Sequence, residues 1–276
     1  MRELKTMRHP IIKKLSFVAL CSFSIFSFAD SIIVQSTTST KNSGLYDYLL
    51  PRVSTDTGIK VNVVAVGTGQ AIKNAQRCDG DVLLVHAKPS EERFVAQGFG
   101  IERFDLMYND FVIVGPADDP ASIKGSNDVS EALKKIAVAK AIFTSRGDDS
   151  GTHKAEIRLW KDSTIDPTKA SGQWYRETGS GMGATLNIAV GMNAYALTDR
   201  ATWTKFGNKG DFQIHVEGDR KLFNQYGVIL VNPEKCPNVN AAAGQKLIDW
   251  LLSKTGQDAI ASYQVNGNQL FYPNAR

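Results

Sequence analysis

Short apolar runs rich in valine and isoleucine alternate with amphipathic stretches along most of the chain, and this alternation restricts the possible folds. Such runs are typical of strands buried on both faces, as in a sheet covered by helices on both sides. The runs are Ser31–Gln35, Val61–Val66, Asp81–Val85, Phe111–Gly115, Ala141–Thr144, Ile214–Glu217 and Gly227–Val231. We therefore expect the α/β class, with mostly parallel sheets and helices on both faces.

Two of the amphipathic stretches have the spacing of a helix that buries one face. Their apolar positions are Leu45, Tyr48, Leu49 and Val53 in one stretch and Leu247, Trp250 and Leu251 in the other. The second helix is predicted to end at Gly256, because glycine readily adopts the left-handed conformation that follows a helix.

The first 29 residues differ from the rest of the chain. A segment with five basic residues and one acidic residue precedes an apolar run, Leu15–Phe28, which ends in small residues. This order is typical of a secretory signal peptide, here cleaved after Ala29, and a start at Met7 would leave it unchanged. Cys21 is a poor lipid-attachment site, because bulky Leu20 precedes it and the apolar run continues beyond it.

The charge that remains after cleavage excludes binding to nucleic acid. Five of the 32 basic and one of the 28 acidic residues lie in the signal peptide, so the mature chain carries 27 of each. No basic field is left to attract a polyanion. The mean hydropathy of −0.21 also excludes a protein with several membrane spans.

Two cysteines, Cys78 and Cys236, remain in the exported chain. In an oxidising compartment they could form one disulfide, and otherwise they are two small buried residues. Both alternatives stay open at this point. Neither cysteine belongs to a spacing that is typical of a metal site.

Segments rich in serine, threonine and glycine recur four times where a helix is predicted to begin. They are Ser36–Thr40, Gly67–Gln70, Ser145–His153 and Gly179–Thr185, and at least three of them follow a predicted strand. The N–H groups at a helix N-terminus lack partners and carry partial positive charge, so they attract anions. Serine and threonine are also common N-caps, and a single segment could be purely structural. Four in one chain indicate an anion-binding site.

Four segments together resemble the periplasmic tungstate-binding proteins of the TupA type, which are the substrate-binding components of a tungstate ABC importer. These segments are Ser36–Leu45, Gly67–Ala71, Asp81–Ala87 and Ser145–His153, and the last is the most specific. The opening motif of that family is similar to Thr-Thr-Thr-Ser, whereas this chain has Ser36 at the first position. The substitution keeps a hydroxyl group.

The resemblance implies a two-lobe periplasmic binding-protein fold of type II, with the ligand cleft between the lobes. One lobe would combine residues 30–108 with 222–276, and the other would hold residues 109–221. Crossover segments around Tyr108–Val112 and Phe223–Gly227 would form the hinge. The implied ligand-binding residues are Thr37, Thr38, Ser39, Thr68, Gly69, Arg146, Ser150, Gly151 and Thr152.

Arg146 is the strongest candidate among these residues, because a guanidinium offers charged donors in a fixed geometry. It could instead form a salt bridge with Asp148 or Asp149. These two aspartates are expected to orient Arg146 or to cap the helix. One of them could also accept the proton of hydrogen phosphate, which makes a phosphate or sulfate receptor the alternative. Tungstate and molybdate are not distinguishable by sequence.

A serine hydrolase is a further alternative, because Asp149, Ser150 and His153 lie close together in the sequence. No Gly-x-Ser-x-Gly motif surrounds Ser150, and His153 has no evident acidic partner. His86 and His215 adjoin predicted strands and are assigned structural roles. A P-loop motif is not found. We expect a monomer that is no enzyme, needs no cofactor or metal cation, and delivers its oxyanion to an inner-membrane permease.

Overall fold

The structure is a computed structural model that describes Met1 and residues 30–275. Apart from Met1, the predicted signal peptide at residues 1–29 lies outside the described residues, and so does Cys21. Within the described part, no helix is long and apolar enough to cross a membrane.

The chain forms twelve described strands and ten described α-helices. The strands are β1 (Ser31–Thr37), β2 (Lys60–Val66), β3 (Val82–Val85), β4 (Gly100–Gly115), β5 (Phe143–Ser145), β6 (Tyr175–Glu177), β7 (Tyr195–Asp199), β8 (Gln213–Val216), β9 (Phe223–Val231), β10 (Gln264–Val265), β11 (Asn268–Gln269) and β12 (Tyr272–Pro273). The helices are α1 (Thr38–Asn42), α2 (Leu45–Thr57), α3 (Thr68–Gln76), α4 (Lys88–Ala96), α5 (Val129–Ala139), α6 (Gly151–Asp162), α7 (Met182–Met192), α8 (Arg200–Lys205), α9 (Ala241–Leu252) and α10 (Lys254–Ser262).

Ten of the strands form one mixed sheet, with the order β2-β1-β3-β9-β4-β7-β5-β6 and with β8 and β12 attached to β4. The two flanks are parallel: β1 pairs with β2 and β3, and β5 pairs with β6 and β7. The pairs in the middle, which involve β4 and β9, are antiparallel. The predicted α/β class is confirmed, and the sheet is parallel only in its flanks.

Helices cover both faces of the sheet, and the alternation of side chains along the strands shows why. Val82 and Leu84 of β3 pack into a cluster with α2 and α9, whereas Leu83 and Val85 pack with α3 and α4. The second half repeats this arrangement, since successive residues of β4 face α5 and α6 on one side and α7 and α8 on the other. Strands buried on both faces in this way need the continuous apolar runs found in the sequence.

The apolar clusters fall into two groups along the chain. One group draws on residues 32–107 and 226–271, with Ala201 as an outlier, and the other on residues 111–222. The chain passes between the groups in β4 and β9, which are paired there, with Tyr108 opposite Gln225 and Asn109 opposite Asn224. The predicted lobe boundaries at residues 108 and 222 and the hinge role of these segments stay predictions.

Several elements differ from the sequence-based expectation. Strands β6 and β7 and the first two thirds of β4 were not predicted, because their charged or alanine-containing sequences lack a run of β-branched residues. The predicted helix end at Gly256 is wrong. Helix α9 ends at Leu252, Ser253 caps both α9 and α10, and Gly256 lies in the first turn of α10. A Cβ atom at Gly256 would overlap the backbone of Trp250, so close helix approach explains this glycine.

The two cysteines of the mature chain are joined by a disulfide. Cys78 and Cys236 are 158 residues apart in sequence, with their Cα atoms 5.2 Å apart. The bond connects the end of α3 to the segment that follows β9. Of the two alternatives left open by the sequence, the structure contains the disulfide.

Candidate functional site

Three parallel strands of the first half end at the same edge of the sheet. Thr37, the last residue of β1, is in register with Val66, the last residue of β2. The neighbouring strand β3 ends at Val85, directly before His86. Because carboxyl ends of parallel strands lie side by side, this edge brings together the first two predicted turns and His86.

The first turn presents hydroxyl groups at this edge. Thr37 is the N-cap of α1, and its Oγ1 accepts a hydrogen bond from the backbone N–H of Thr40 at 3.3 Å. Ser39 Oγ lies 3.1 Å from Thr37 Oγ1 and 3.1 Å from His86 Nε2. Thr37 and Ser39 are buried and Thr38 is half-buried. The three predicted hydroxyl residues thus cluster at the carboxyl end of β1.

The second turn contacts the third turn directly. Thr68 begins α3 and is fully buried, and its Oγ1 accepts a hydrogen bond from the backbone N–H of Gly151 at 2.9 Å. Next to it, a Cβ atom at Gly69 would overlap the Asp149 carboxylate. Glycine at position 69 therefore leaves room for the exposed Asp149 side chain against this turn, and a larger residue would push that side chain aside. The structure brings Gly151 next to the Thr68-Gly69 turn, from which it is 82 or more residues away in sequence.

Arg146 follows β5 and is almost completely buried, with 3% of its surface exposed. Its Nε and Nη2 donate hydrogen bonds to Asp148 Oδ2 at 3.2 Å and 2.5 Å. A guanidinium has five N–H donors, so three of them remain free of Asp148. Asp148 therefore fulfils one of the roles expected from the sequence, because it holds the Arg146 side chain in place.

Both oxygens of the Asp148 carboxylate accept hydrogen bonds from neighbouring residues. Its other oxygen, Oδ1, accepts the backbone N–H of Ser150 at 3.2 Å. Burial alone would raise the pKa of Asp148, but the hydrogen bonds from Ser150 and the charge and hydrogen bonds of Arg146 outweigh it, so the pKa lies below its usual range. Asp148 is thus ionised, and both of its oxygens already accept hydrogen bonds.

The start of α6 supplies the remaining predicted residues. Ser150 is the N-cap, and its Oγ accepts the backbone N–H of His153 at 3.2 Å. The His153 imidazole instead accepts the backbone N–H of Asp149 through Nδ1, at 3.1 Å. Ser150 and His153 are therefore used as helix caps and are not arranged as a nucleophile and its base.

Thr152 differs from its neighbours because its hydroxyl is not used. The residue is 1% exposed, and Oγ1 has no hydrogen-bond partner among the residues that the structure describes. A buried hydroxyl without a partner costs free energy, and native proteins rarely leave one so. This group is available to donate to a ligand.

His86 belongs to the site, although the sequence analysis assigned it a structural role. Its Nε2 lies 3.1 Å from Ser39 Oγ, and its Nδ1 lies 3.0 Å from Asn224 Oδ1. The ring stacks on Tyr226 with 4.7 Å between centroids, and a Cβ atom at Gly151 would overlap it. His86 therefore touches both the first and the third turn.

Burial lowers the pKa of His86 to about 4, with the charge of Arg146 acting in the same direction and the hydrogen bond to Asn224 opposing it. The imidazole is therefore neutral at pH 7, with one nitrogen donating and the other accepting. The signal that could have identified His86 is its position directly after a parallel strand, the same rule that identified the turns.

A second residue that the sequence analysis missed, Asp199, lies at the corresponding edge of the second half. It ends β7, which is parallel to β5, and its two oxygens accept the backbone N–H and the hydroxyl of Thr202 at 2.8 Å and 2.7 Å. Burial raises the pKa of Asp199, while the bonds from Thr202 and the charge of Arg146 oppose the rise. Asp199 was missed because β7 was not predicted.

The fourth turn flanks the third. Thr178, directly before this turn, donates its backbone N–H to the Ser145 carbonyl at 2.9 Å and its hydroxyl to the Arg146 carbonyl at 3.4 Å. Its Oγ1 also lies 2.8 Å from Oγ1 of Thr185, within the turn. Within residues 30–275, no hydrogen bond connects this turn to the first two turns. The fourth turn thus supports Arg146, and three of the four turns converge.

The combined arrangement is rich in donors and contains saturated acceptors. Hydroxyl and backbone N–H groups of the first three turns meet around His86 and Gly151. The charge of Arg146 acts on His86 and on Asp199. The oxygens of Asp148 and Asp199 already accept hydrogen bonds. Among the described residues, no group of histidine, cysteine, aspartate and glutamate side chains is placed to hold a metal ion. Chemically, such a site suits a small anion that only accepts hydrogen bonds.

Comparison with known proteins agrees with this fold. Residues 27–255 match the model of the PBP superfamily domain. The chain is 51% identical over 249 residues to the tungstate-binding protein TupA of Peptoclostridium acidaminophilum. The aligned region covers 89% of this chain and 86% of that protein.

Two solved structures are similar over most of the chain. The tungstate-binding protein TupA from Desulfovibrio alaskensis G20 has 48% sequence identity and a TM-score of 0.77, covering 90% of this chain and 100% of that one. The tungstate ABC transporter structure from Geobacter sulfurreducens has 47% identity and a TM-score of 0.77, covering 84% and 98%. The chain therefore belongs to the PBP superfamily and, within it, to the family of the TupA proteins.

Proposed function

We propose that the protein captures tungstate outside the cytoplasm and delivers it to the permease of an ABC importer. The printed names of the relatives, which are tungstate-binding proteins and a tungstate ABC transporter, support this substrate. The two groups of apolar clusters, connected by β4 and β9, support capture between two lobes. The ligand closes such lobes because donors on both sides are satisfied together only in the closed form.

One observation carries the choice of ligand class: each oxygen of Asp148 and Asp199 already accepts a hydrogen bond from the chain itself. Asp148 accepts from Arg146 and Ser150, and Asp199 accepts twice from Thr202. Asp149 is exposed and forms an ion pair with Lys154. Tungstate, molybdate and sulfate are fully deprotonated at neutral pH, whereas hydrogen phosphate carries a proton that needs an acceptor. This accounting favours a fully deprotonated oxyanion over phosphate.

The proposed function includes export, because the signal peptide predicted at residues 1–29 would direct the chain to the periplasm. The mature protein would act as a monomer without a cofactor, and its oxyanion would be released unchanged to the permease. The ligand residues would be Thr37, Thr38, Ser39, Thr68, Gly69, Arg146, Ser150, Gly151 and Thr152, with tungsten present only within the oxyanion.

Isothermal titration of the mature chain with tungstate, molybdate, sulfate and phosphate tests this proposal. We expect the tightest binding for tungstate or molybdate, with one anion per chain. Phosphate binding far more tightly than tungstate would identify a phosphate receptor and contradict the proposal. Hydrolysis of an ester or peptide substrate that is abolished by Ser150→Ala would contradict it in favour of a hydrolase.

A further inference from the structure

Two large clefts open between the halves of the molecule, and only one of them reaches the converging turns. The first, which we call the His86 cleft, has a volume of about 810 Å³ and includes His86 and Gly151 in its lining. The second, which we call the Tyr108 cleft, has a volume of about 900 Å³ and is lined by residues near the paired segments of β4 and β9. None of the nine predicted ligand residues lines the Tyr108 cleft.

The rim of the His86 cleft is strongly basic. Its basic side chains come from α4, α6 and the segment before β9, and they are Lys88, Arg93, Lys154, Arg158, Arg220 and Lys221. The acidic side chains in the same lining are Asp105, which pairs with Arg103, and Asp149, which pairs with Lys154. Within residues 30–275, the other five basic side chains of the rim form no ion pair.

This excess of positive charge is local. The chain beyond residue 29 carries equal numbers of basic and acidic residues. The Tyr108 cleft is balanced, since three basic side chains line it together with Asp110, Glu217 and Asp219, and Arg200 is paired with two of these acids. A neutral protein therefore concentrates unpaired positive charge at the one large cleft that leads to the site.

Charge in such a cleft acts on the rate of capture. Low-dielectric walls focus the field of the rim charges and raise the local concentration of a counter-ion, which accelerates association by about 10- to 1,000-fold. The effect weakens as salt screens the charges, with a Debye length of about 10 Å at 0.1 M ionic strength. A doubly charged anion feels this field twice as strongly as a singly charged one.

We propose that the His86 cleft is the access route of the oxyanion and that its basic rim accelerates capture by electrostatic steering. The inference rests on the proposed function, because it presumes that an oxyanion is the ligand. It adds the direction from which the anion arrives and a set of residues outside the binding site that determine the association rate.

The test compares three proteins with matched changes in charge. The rim variant replaces one basic residue from each wall of the cleft, as Lys88→Gln, Arg158→Gln and Lys221→Gln. The control variant removes the same charge from exposed positions outside both clefts, as Lys60→Gln, Lys134→Gln and Lys169→Gln. The wild-type mature chain is the third protein, and thermal melts establish that all three are folded.

The measurement separates association from dissociation. Protein loaded with isotopically enriched tungstate is chased with natural-abundance tungstate to give koff, and equilibrium dialysis gives Kd, so that kon follows as koff/Kd. For wild type, we expect kon to fall about tenfold or more between 10 and 500 mM NaCl. At low salt, the rim variant should have a kon about tenfold below wild type, a weaker salt dependence and an unchanged koff, whereas the control should match wild type.

The possible results separate this inference from the proposed function. Equal kon values for the rim variant and wild type at low salt would overturn the inference alone, and so would an equal loss in the control. Tight tungstate binding with a salt-independent kon would do the same. Failure of the wild-type chain to bind tungstate at all would overturn both proposals.

Discussion

Replacing Arg146 with alanine should abolish most of the affinity for the oxyanion and leave the fold intact. Arg146 is a buried cation in the third turn, and three of its N–H donors are not engaged by Asp148. Each hydrogen bond to a charged acceptor contributes about 1.5–3 kcal/mol. Two such bonds to tungstate correspond to about 3–6 kcal/mol, so we expect Kd to rise by about 10² to 10⁴-fold.

Part of this loss could come from Asp148, which would remain as an unpaired carboxylate beside the anion. A double variant, Arg146→Ala with Asp148→Asn, separates the two effects. If missing donors cause the loss, the double variant should bind as weakly as the single variant. If repulsion by Asp148 causes it, the double variant should regain affinity. Arg146→Lys keeps the charge but loses the planar fork, and we expect an intermediate Kd.

Titration calorimetry with tungstate measures these affinities, and thermal melts without ligand measure stability. Arg77→Ala is a suitable control, because Arg77 is exposed and pairs only with surface groups. A Kd for Arg146→Ala within threefold of the wild-type value would refute the role assigned to this residue. A loss of affinity that accompanies global unfolding would be uninformative on binding, and Arg146→Lys then becomes the deciding variant.

Three further predictions concern single features of the structure. Thr152→Val should weaken tungstate binding by about 10- to 150-fold in calorimetry, because the variant removes one hydrogen-bond donor to the ligand. The melting temperature should not fall, because the buried hydroxyl has no partner in the described part of the chain. Unchanged binding would show that this hydroxyl does not contact the ligand. Burial raises the pKa of Glu156 to about 7, so its contribution to stability is complete below about pH 4.5 and is lost as the pH rises through 7. Glu156→Gln keeps an acceptor for Tyr175 and should therefore exceed wild type by about 3 kcal/mol in free energy of unfolding at pH 8.5, measured in urea; equal values would contradict the assignment. Reducing the Cys78–Cys236 disulfide opens a loop of 158 residues and should lower stability by up to about 5 kcal/mol in denaturant titrations, and no change on reduction would argue against this bond.

Much of the fold was accessible from the sequence, because strands buried on both faces leave continuous apolar runs. Strands β1 and β3 were predicted within a few residues, and so was β2, although it lies at the edge of the sheet and is only partly buried. Strand β7 was not, because Tyr195, Ala196 and Leu197 follow a helix whose apolar residues continue almost without interruption. The boundary depends on Asn193, whose left-handed conformation ends α7. A single asparagine is a weak signal in a sequence.

The site was predictable from the sequence where the residue type alone indicates anion binding, as for the hydroxyl-rich turns and Arg146. It was not predictable where tertiary contacts bring a residue into the site. His86 belongs to the site because it contacts Ser39 and Gly151, which are remote from it in sequence. The same holds for Asp148, whose hydrogen bonds from Arg146 and Ser150 support the proposed preference for a fully deprotonated oxyanion over phosphate. The hydrogen-bond partners of a carboxylate oxygen are determined by the folded structure and cannot be identified from the sequence alone.

The two-part origin of the first apolar core has a consequence for how the protein is made. This core combines residues 32–107 with residues 226–271. During synthesis, the N-terminal third therefore emerges from the ribosome long before the strand and helices that complete it. A chain in this condition cannot bury the apolar surface of its first core early, because the segments that complete this core are synthesised last. For the export proposed above, the same order of segments would keep the chain unfolded until late in its synthesis.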